Sequence, residues 1–245
     1  MAAVFFVLGM ISPLTARFMP QIITWAMESD PTMRGMDFAA LGFFTEPSAI
    51  DSWAQFFGNV GQMGLFVLVV VFAGFLSSEI SNGTLTIILT KGLSRSSVIL
   101  SKLTNAIFIW TISLGLAFAT CQFYTFYLFP KNILQDLFFA VFCLWLLGVF
   151  LLTLTMLMAA LTTKSYICML AAGTVVIFLN IINIIPNVSR YNPVTLAGLP
   201  MQLLAETIKR EHIYPTLAAT AIGTAALTLF AIISFNKRKS GKKIL

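Results

Sequence analysis

Charge is what this sequence has least of. Lysine, arginine, aspartate and glutamate together make up 10 % of its 245 residues, against 58 % hydrophobic ones. A water-soluble domain carries about a quarter charged residues, so this chain has too little polar surface to cover a globule in water. Histidine is nearly missing as well. The single His212 excludes an H-E-x-x-H zinc motif and leaves no basis for a histidine metal site. Only three cysteines occur, and all fall in apolar stretches, so there is no disulfide framework. No G-x-x-x-x-G-K-[ST] loop is present to cradle a nucleotide phosphate, and there is no nucleic-acid signature.

What is there instead is long uncharged sequence. No charge lies between Asp51 and Glu79, Lys102 and Lys131, Asp136 and Lys164, Lys164 and Arg190, or His212 and Lys237. A membrane helix needs roughly 20 mostly apolar residues at about 1.5 Å rise each. Lipid cannot satisfy backbone polar groups, and these runs lack the alternation of barrel strands. The expected fold class is therefore all-α, a polytopic membrane protein with about six transmembrane helices at 1–19, 58–78, 103–129, 137–161, 167–186 and 214–235. The first span is uncharged only to Ala16 and is short for a full crossing. It reads as a helix whose cytoplasmic beginning lies outside this sequence, or else as a short helix anchored by its own amino terminus.

Six spans put both termini on one side. With the termini cytoplasmic, nine of the 15 basic residues fall inside: Lys91, Arg95, Lys102, Lys164 and the tail residues Lys237, Arg238, Lys239, Lys242 and Lys243. The positive-inside bias supports that orientation. Of the nine acids, only Glu79 then lies inside. The tail, 236–245, is a basic juxtamembrane cluster suited to anionic lipid.

Residues 79–102 become a cytoplasmic loop between the second and third helices. Glu79 sits where the helix dipole disfavours an acid, and Arg95 and Lys102 where it disfavours a base. Each is complementary to the other if the helix ends lie side by side, so Glu79 is expected to clamp to Arg95 or Lys102. Between them, Gly83 and Gly92 bracket a segment in which Leu85, Ile88 and Leu89 share a helical face. By periodicity alone TLTIIL fits a strand equally, and its apolar stripe suits lipid or a protein partner.

The order Glu79-x3-Gly83-Thr84, Leu89, Ser94-Arg95 and Lys102 resembles the permeases of type-2 ABC transporters, with Gly92 standing where that family often has proline. ISPLTARFMPQII (11–23) is similar to the end of the family's first helix, and 50–70 to the approach to its second. The resemblance implies that 79–102 is a coupling loop resting on a separate ATPase subunit, with Leu85, Ile88 and Leu89 at the contact and Glu79 and Arg95 transmitting motion. It further implies a non-catalytic chain that binds no cofactor itself, ATP and magnesium belonging to the partner. A second permease chain, identical or homologous, is expected beside it in a bacterial cytoplasmic membrane. Family members usually begin with an amphipathic helix, and nothing here corresponds to one. The function implied is export of a hydrophobic or amphipathic substrate, such as a peptide, drug or lipid-like molecule. An intramembrane enzyme and a non-transporting scaffold or immunity protein are the alternatives.

Further readings concern packing. Ala219 and Gly223, and Gly115 and Ala119, are small-x3-small pairs suited to helix contact. Asn180, Asn183 and Asn187 recur near the outer end of the fifth span, as a candidate substrate path or as interhelical hydrogen-bonding groups. Aromatics at 123–129 suit the membrane interface. Ser48 is a candidate helix cap, and 199–211 reads as an amphipathic helix with Leu203, Leu204 and Ile208 on one face.

Overall fold

A computed structural model describes residues 1–29, 47–81, 95–129, 134, 136–162 and 164–237. All regular elements among them are helical: α1 (Ala2–Ser29), α2 (Ala49–Asn59), a π-helical turn (Val60–Gly64), α3 (Leu65–Ser81), α4 (Arg95–Leu128), α5 (Leu137–Leu161), α6 (Ser165–Ile182), a short α7 (Pro186–Ser189), a 3-10 turn (Pro193–Ala197), α8 (Leu199–Leu204), a second 3-10 turn (Arg210–His212) and α9 (Tyr214–Lys237). Among the described residues, six stretches are long and apolar enough to cross a bilayer: Ala2–Ile22, Ala49–Gly74, Ser96–Leu128, Leu137–Leu161, Ser165–Ile182 and Arg210–Asn236. The protein is an all-α, multi-pass membrane protein.

The boundaries shift where a charge does not end a helix. The first span extends to Ile22, past Arg17, and its 21 residues suffice for a crossing. The helix also runs through Pro13 and Pro20. Pro13 cannot donate to the carbonyl of Gly9, and it is at Gly9 that α4 comes closest. A Cβ there would fall well inside contact distance of the Ala117 backbone. Lys102 lies two turns inside α4, not at its start, because that helix begins at Arg95. The fourth span runs Leu137–Leu161.

Ser48 caps α2 as expected. Its backbone N–H donates to Asp51 Oδ2 at 2.9 Å, and its hydroxyl accepts from the Asp51 N–H at 3.4 Å. This reciprocal box satisfies two donors that the first turn would otherwise leave open. The helix then widens through Val60–Gly64 into α3.

Helix α5 is the centre. Its window is 67 % buried, against 11 % for α6 and 17 % for the last span. A helix apolar all round is one that is buried. Helices α9, α3, α4 and α6 all pack on α5, while α1 packs on α4 and α2. Trp110 of α4 lies where a Cβ on Gly148 of α5 would be. Its indole N–H donates to the Trp145 carbonyl at 3.0 Å, and the Trp145 indole donates to Thr111 Oγ1 at 2.9 Å.

Two sequence expectations on packing are corrected. Gly115 and Ala119 are exposed, and nothing lies within 4 Å of a Cβ at Gly115. The tight small-residue contact of α4 is Gly9 on Ala117, two residues from each member of the expected pair and so on the other side of the helix. The 199–211 segment is not one helix. Its helix stops at Leu204, with Glu206 left-handed at φ 55°. The Glu206 N–H donates to Leu203 O and the Thr207 N–H to Gln202 O, both at 3.0 Å. This is a Schellman stop, normally built on glycine. Leu203 and Leu204 are buried by it.

Overpacking a close helix contact costs about 1–3 kcal/mol. Gly9→Ala is expected to lower the thermal unfolding midpoint in detergent, followed by tryptophan fluorescence, while Gly115→Ala leaves it unchanged. Equal shifts for both would contradict the α1–α4 contact.

Candidate coupling segment and membrane cavity

The end of α3 and the start of α4 bracket the segment that carries the motif. Glu79 lies in the last turn of α3, and Arg95 is the first residue of α4. Their side chains, like Gly83, Thr84, Leu85, Ile88 and Leu89, lie outside the described residues, and so does the expected clamp. What the helices show is direction. Arg95 and Lys102 are seven residues apart, close to two turns at 3.6 residues each, and so share one face of α4. Lys102 is half-buried, between the buried Val98, Ile99, Leu103 and Ala106. Among the described residues α3 packs on α5 and α6 whereas α4 packs on α1 and α5, with no substantial α3–α4 interface. The two arms of this connection therefore bear on different parts of the bundle.

At bilayer depth an apolar cavity of about 470 Å³ opens between the π turn and α3 on one side and α5 and α6 on the other. Leu65, Phe66, Leu147, Met169 and Val176 form much of its wall. Gln62 and Asn180 are the two polar side chains in its lining. Gln62 comes from the π turn. Such wide turns shift side chains out of α-helical register and are frequent at functional positions. Gln62 was not singled out by the sequence reading, although a glutamine between Gly61 and Gly64 in an uncharged run was a visible signal. Asn180 donates to the Val176 carbonyl at 2.9 Å, one turn back on its own helix.

Asn183 is used differently. Its side-chain carbonyl accepts from Asn192 Nδ2 at 3.5 Å, and the same amide donates to Leu179 O at 2.6 Å. Asn192 is buried and also accepts from the Val194 N–H at 3.1 Å. It ties the stretch between α6 and α9 back onto the end of α6. Thr216 of α9, buried, donates to Arg190 O at 2.7 Å and fixes the other flank. Asn180 therefore faces the cavity, while Asn183 belongs to a structural knot. The side chain of Asn187 is outside the described residues. Asn192 was missed because nothing in an Asn-Pro turn signal says that its amide will reach nine and thirteen residues back.

The three cysteines are free and buried within the spans. Among the described residues no three histidine, cysteine or acidic side chains cluster where a metal could sit.

A family model described as ABC-2 family transporter protein matches residues 1–239. No curated protein and no solved structure matches the chain.

The two asparagines are expected to separate experimentally. Removing a buried side chain that satisfies several polar partners costs about 1–3 kcal/mol. Asn192→Ala should lower the unfolding midpoint clearly, and Asn180→Ala by no more than a few tenths of a kcal/mol. A larger loss for Asn180→Ala would place its amide in the structural knot instead.

Proposed function

This chain belongs to the ABC-2 family of transporter proteins, a membrane permease with six apolar helices, and from that premise we propose that it exports a hydrophobic or amphipathic substrate from the cytoplasm. Energy comes from ATP hydrolysis in a separate subunit, which also holds the nucleotide and its magnesium. The observation that carries this reading is the motif Glu79-x3-Gly83-Thr84 beginning in the last turn of α3, directly ahead of the third span. In this reading Leu85, Ile88 and Leu89 seat on the ATPase, and Glu79, Arg95 and Lys102 pass its movement to α3 and α4. The 79–102 segment, Lys164 and the basic tail then face the cytoplasm, in keeping with the inside excess of basic residues.

The apolar cavity is the proposed substrate path, with Gln62 and Asn180 as its polar contacts. Its apolar lining favours cargo recognised by shape and apolar area over a bare ion. A second permease chain completes the assembly. The exposure of Leu170, Ile177, Phe178 and Ile181 along α6 supports this, since a helix with so little cover inside its own chain leaves room for a neighbour in the bilayer.

The test is copurification of the permease with its ATPase subunit in mild detergent, followed by hydrolysis assays beside Glu79→Ala. The expected result is a complex in which permease-stimulated hydrolysis falls about tenfold in the variant, equivalent to about 1.4 kcal/mol of lost coupling. A complex whose hydrolysis ignores Glu79→Ala would remove that residue from the coupling route. Absence of any ATPase partner would overturn the exporter.

A further inference from the structure

At the end of the bundle away from the 82–94 segment, the residues leading into α5 meet the stretch between α8 and α9. Asp136 and Arg210 form an ion pair there, and the Arg210 guanidinium lies 5.5 Å from the centre of the Phe139 ring. A cavity of about 590 Å³ opens beside this pair, and a second of about 370 Å³ lies next to it. Leu134, Asp136 and Arg210 line both, so the ion pair is part of a shared wall.

The larger cavity has a layered lining. Leu203 and Leu204 are buried and form the floor, with Ile50, Leu134 and Ile208 half-buried around them. Glu206, Lys209 and Arg210 are exposed and form the rim. The charged lining is balanced, two acids and two bases. Asp136 and Glu206 are also the two non-glycine residues at positive φ among those described, at 64° and 55°. At Glu206 this conformation belongs to the helix stop described above, and aspartate adopts it more readily than most residues. Both acids line the same cavity.

A purely anionic head in this cavity would meet Asp136 and Glu206, and a purely cationic one would meet Lys209 and Arg210. A head bearing both signs finds a partner for each. The volume falls within the range of small-molecule sites, about 300–1,000 Å³. We propose that this cavity binds the headgroup of a zwitterionic amphiphile, with its anionic group at Lys209 and Arg210, its cationic group at Glu206, and the start of its apolar chain over Leu203 and Leu204. The site lies where α5 and α9 begin, at the edge of their apolar spans, which is the depth at which a lipid headgroup sits. Binding here needs neither nucleotide nor an ATPase and stands apart from the transport reading.

The experiment uses the purified full chain in an uncharged maltoside detergent. Retention of phosphatidylethanolamine is measured by native mass spectrometry, beside phosphatidylglycerol as the anionic control. The expected result is about tenfold stronger retention of phosphatidylethanolamine. Glu206→Gln should abolish most of that preference, whereas Lys209→Gln should weaken the retention of both lipids, which share the phosphate, and Lys209→Arg should not. The lipid-free unfolding midpoints of Lys209→Gln and Lys209→Arg, at an exposed position, should match that of the parent chain. Equal retention of the two lipids, a preference indifferent to Glu206→Gln, or retention indifferent to Lys209→Gln overturns the proposal. Displacement of the lipid by an equal concentration of glycerophosphoethanolamine, which has the head without the chains, would assign the cavity to a soluble zwitterion and overturn the amphiphile.

Discussion

The bundle depends on a helix with no polar side to turn outward. From Leu137 to Leu161, α5 has no charge, and most of its length is covered by other helices. Lipid is as apolar as leucine, so the hydrophobic effect does not by itself hold helices together within a bilayer. Close packing and interhelical hydrogen bonds must do so. Gly148 supplies the first by accepting the Trp110 ring against the backbone of α5. The crossed indole bonds of Trp110 and Trp145 supply the second. With α4 fixed in this way, α1 is fixed in turn through Gly9 against Ala117 and through the edge-on contact of Phe5 with Trp110.

This arrangement decides what a force on the 82–94 connection would act upon. Helix α3 leads to α6 and the apolar cavity, and α4 leads to α1 and α2. The two share only the central helix as a substantial common neighbour. A push at the connection therefore loads two packing surfaces on different flanks of α5, which suits a rearrangement of helix groups better than a bend within one hairpin. At the opposite end of the molecule, Asn192 joins the stretch between α6 and α9 to α6, Thr216 joins it to α9, and the Asp136–Arg210 pair joins the start of α5 to the approach to α9.

The gaps between charges made the spans legible, because a charge within the hydrocarbon is costly whatever the fold. Charges mark helix ends less well. Arg17 and Lys102 have long side chains whose heads can reach the interface while the backbone stays helical, so α1 and α4 run past them. The small-residue pattern misled for a related reason. A glycine on the outside of the bundle and a glycine against a helix look alike in sequence, and Gly115 is of the first kind while Gly9 is of the second. The stop at Glu206 was illegible because that position usually holds glycine. The Glu79-x3-Gly83-Thr84 motif was readable as a motif, and its side chains lie outside the described residues.

Polar groups inside the spans are used in one consistent way. Ser12 accepts from Asn59, Ser52 bonds Thr125 across helices, and most buried or half-buried threonines donate back to a carbonyl three or four residues earlier. Among the described residues Ser113 Oγ is the buried side-chain atom without a partner. Each of the paired groups registers one helix against another or quiets its own backbone, and none is left as a charged relay across the bilayer. An ion-driven carrier keeps acids or bases at that depth to bind its coupling ion. Here the polar capacity of the interior goes into holding helices in register, and the apolar cavity is left with two uncharged amides. Discrimination in such a cavity would rest on shape and on the area of apolar contact.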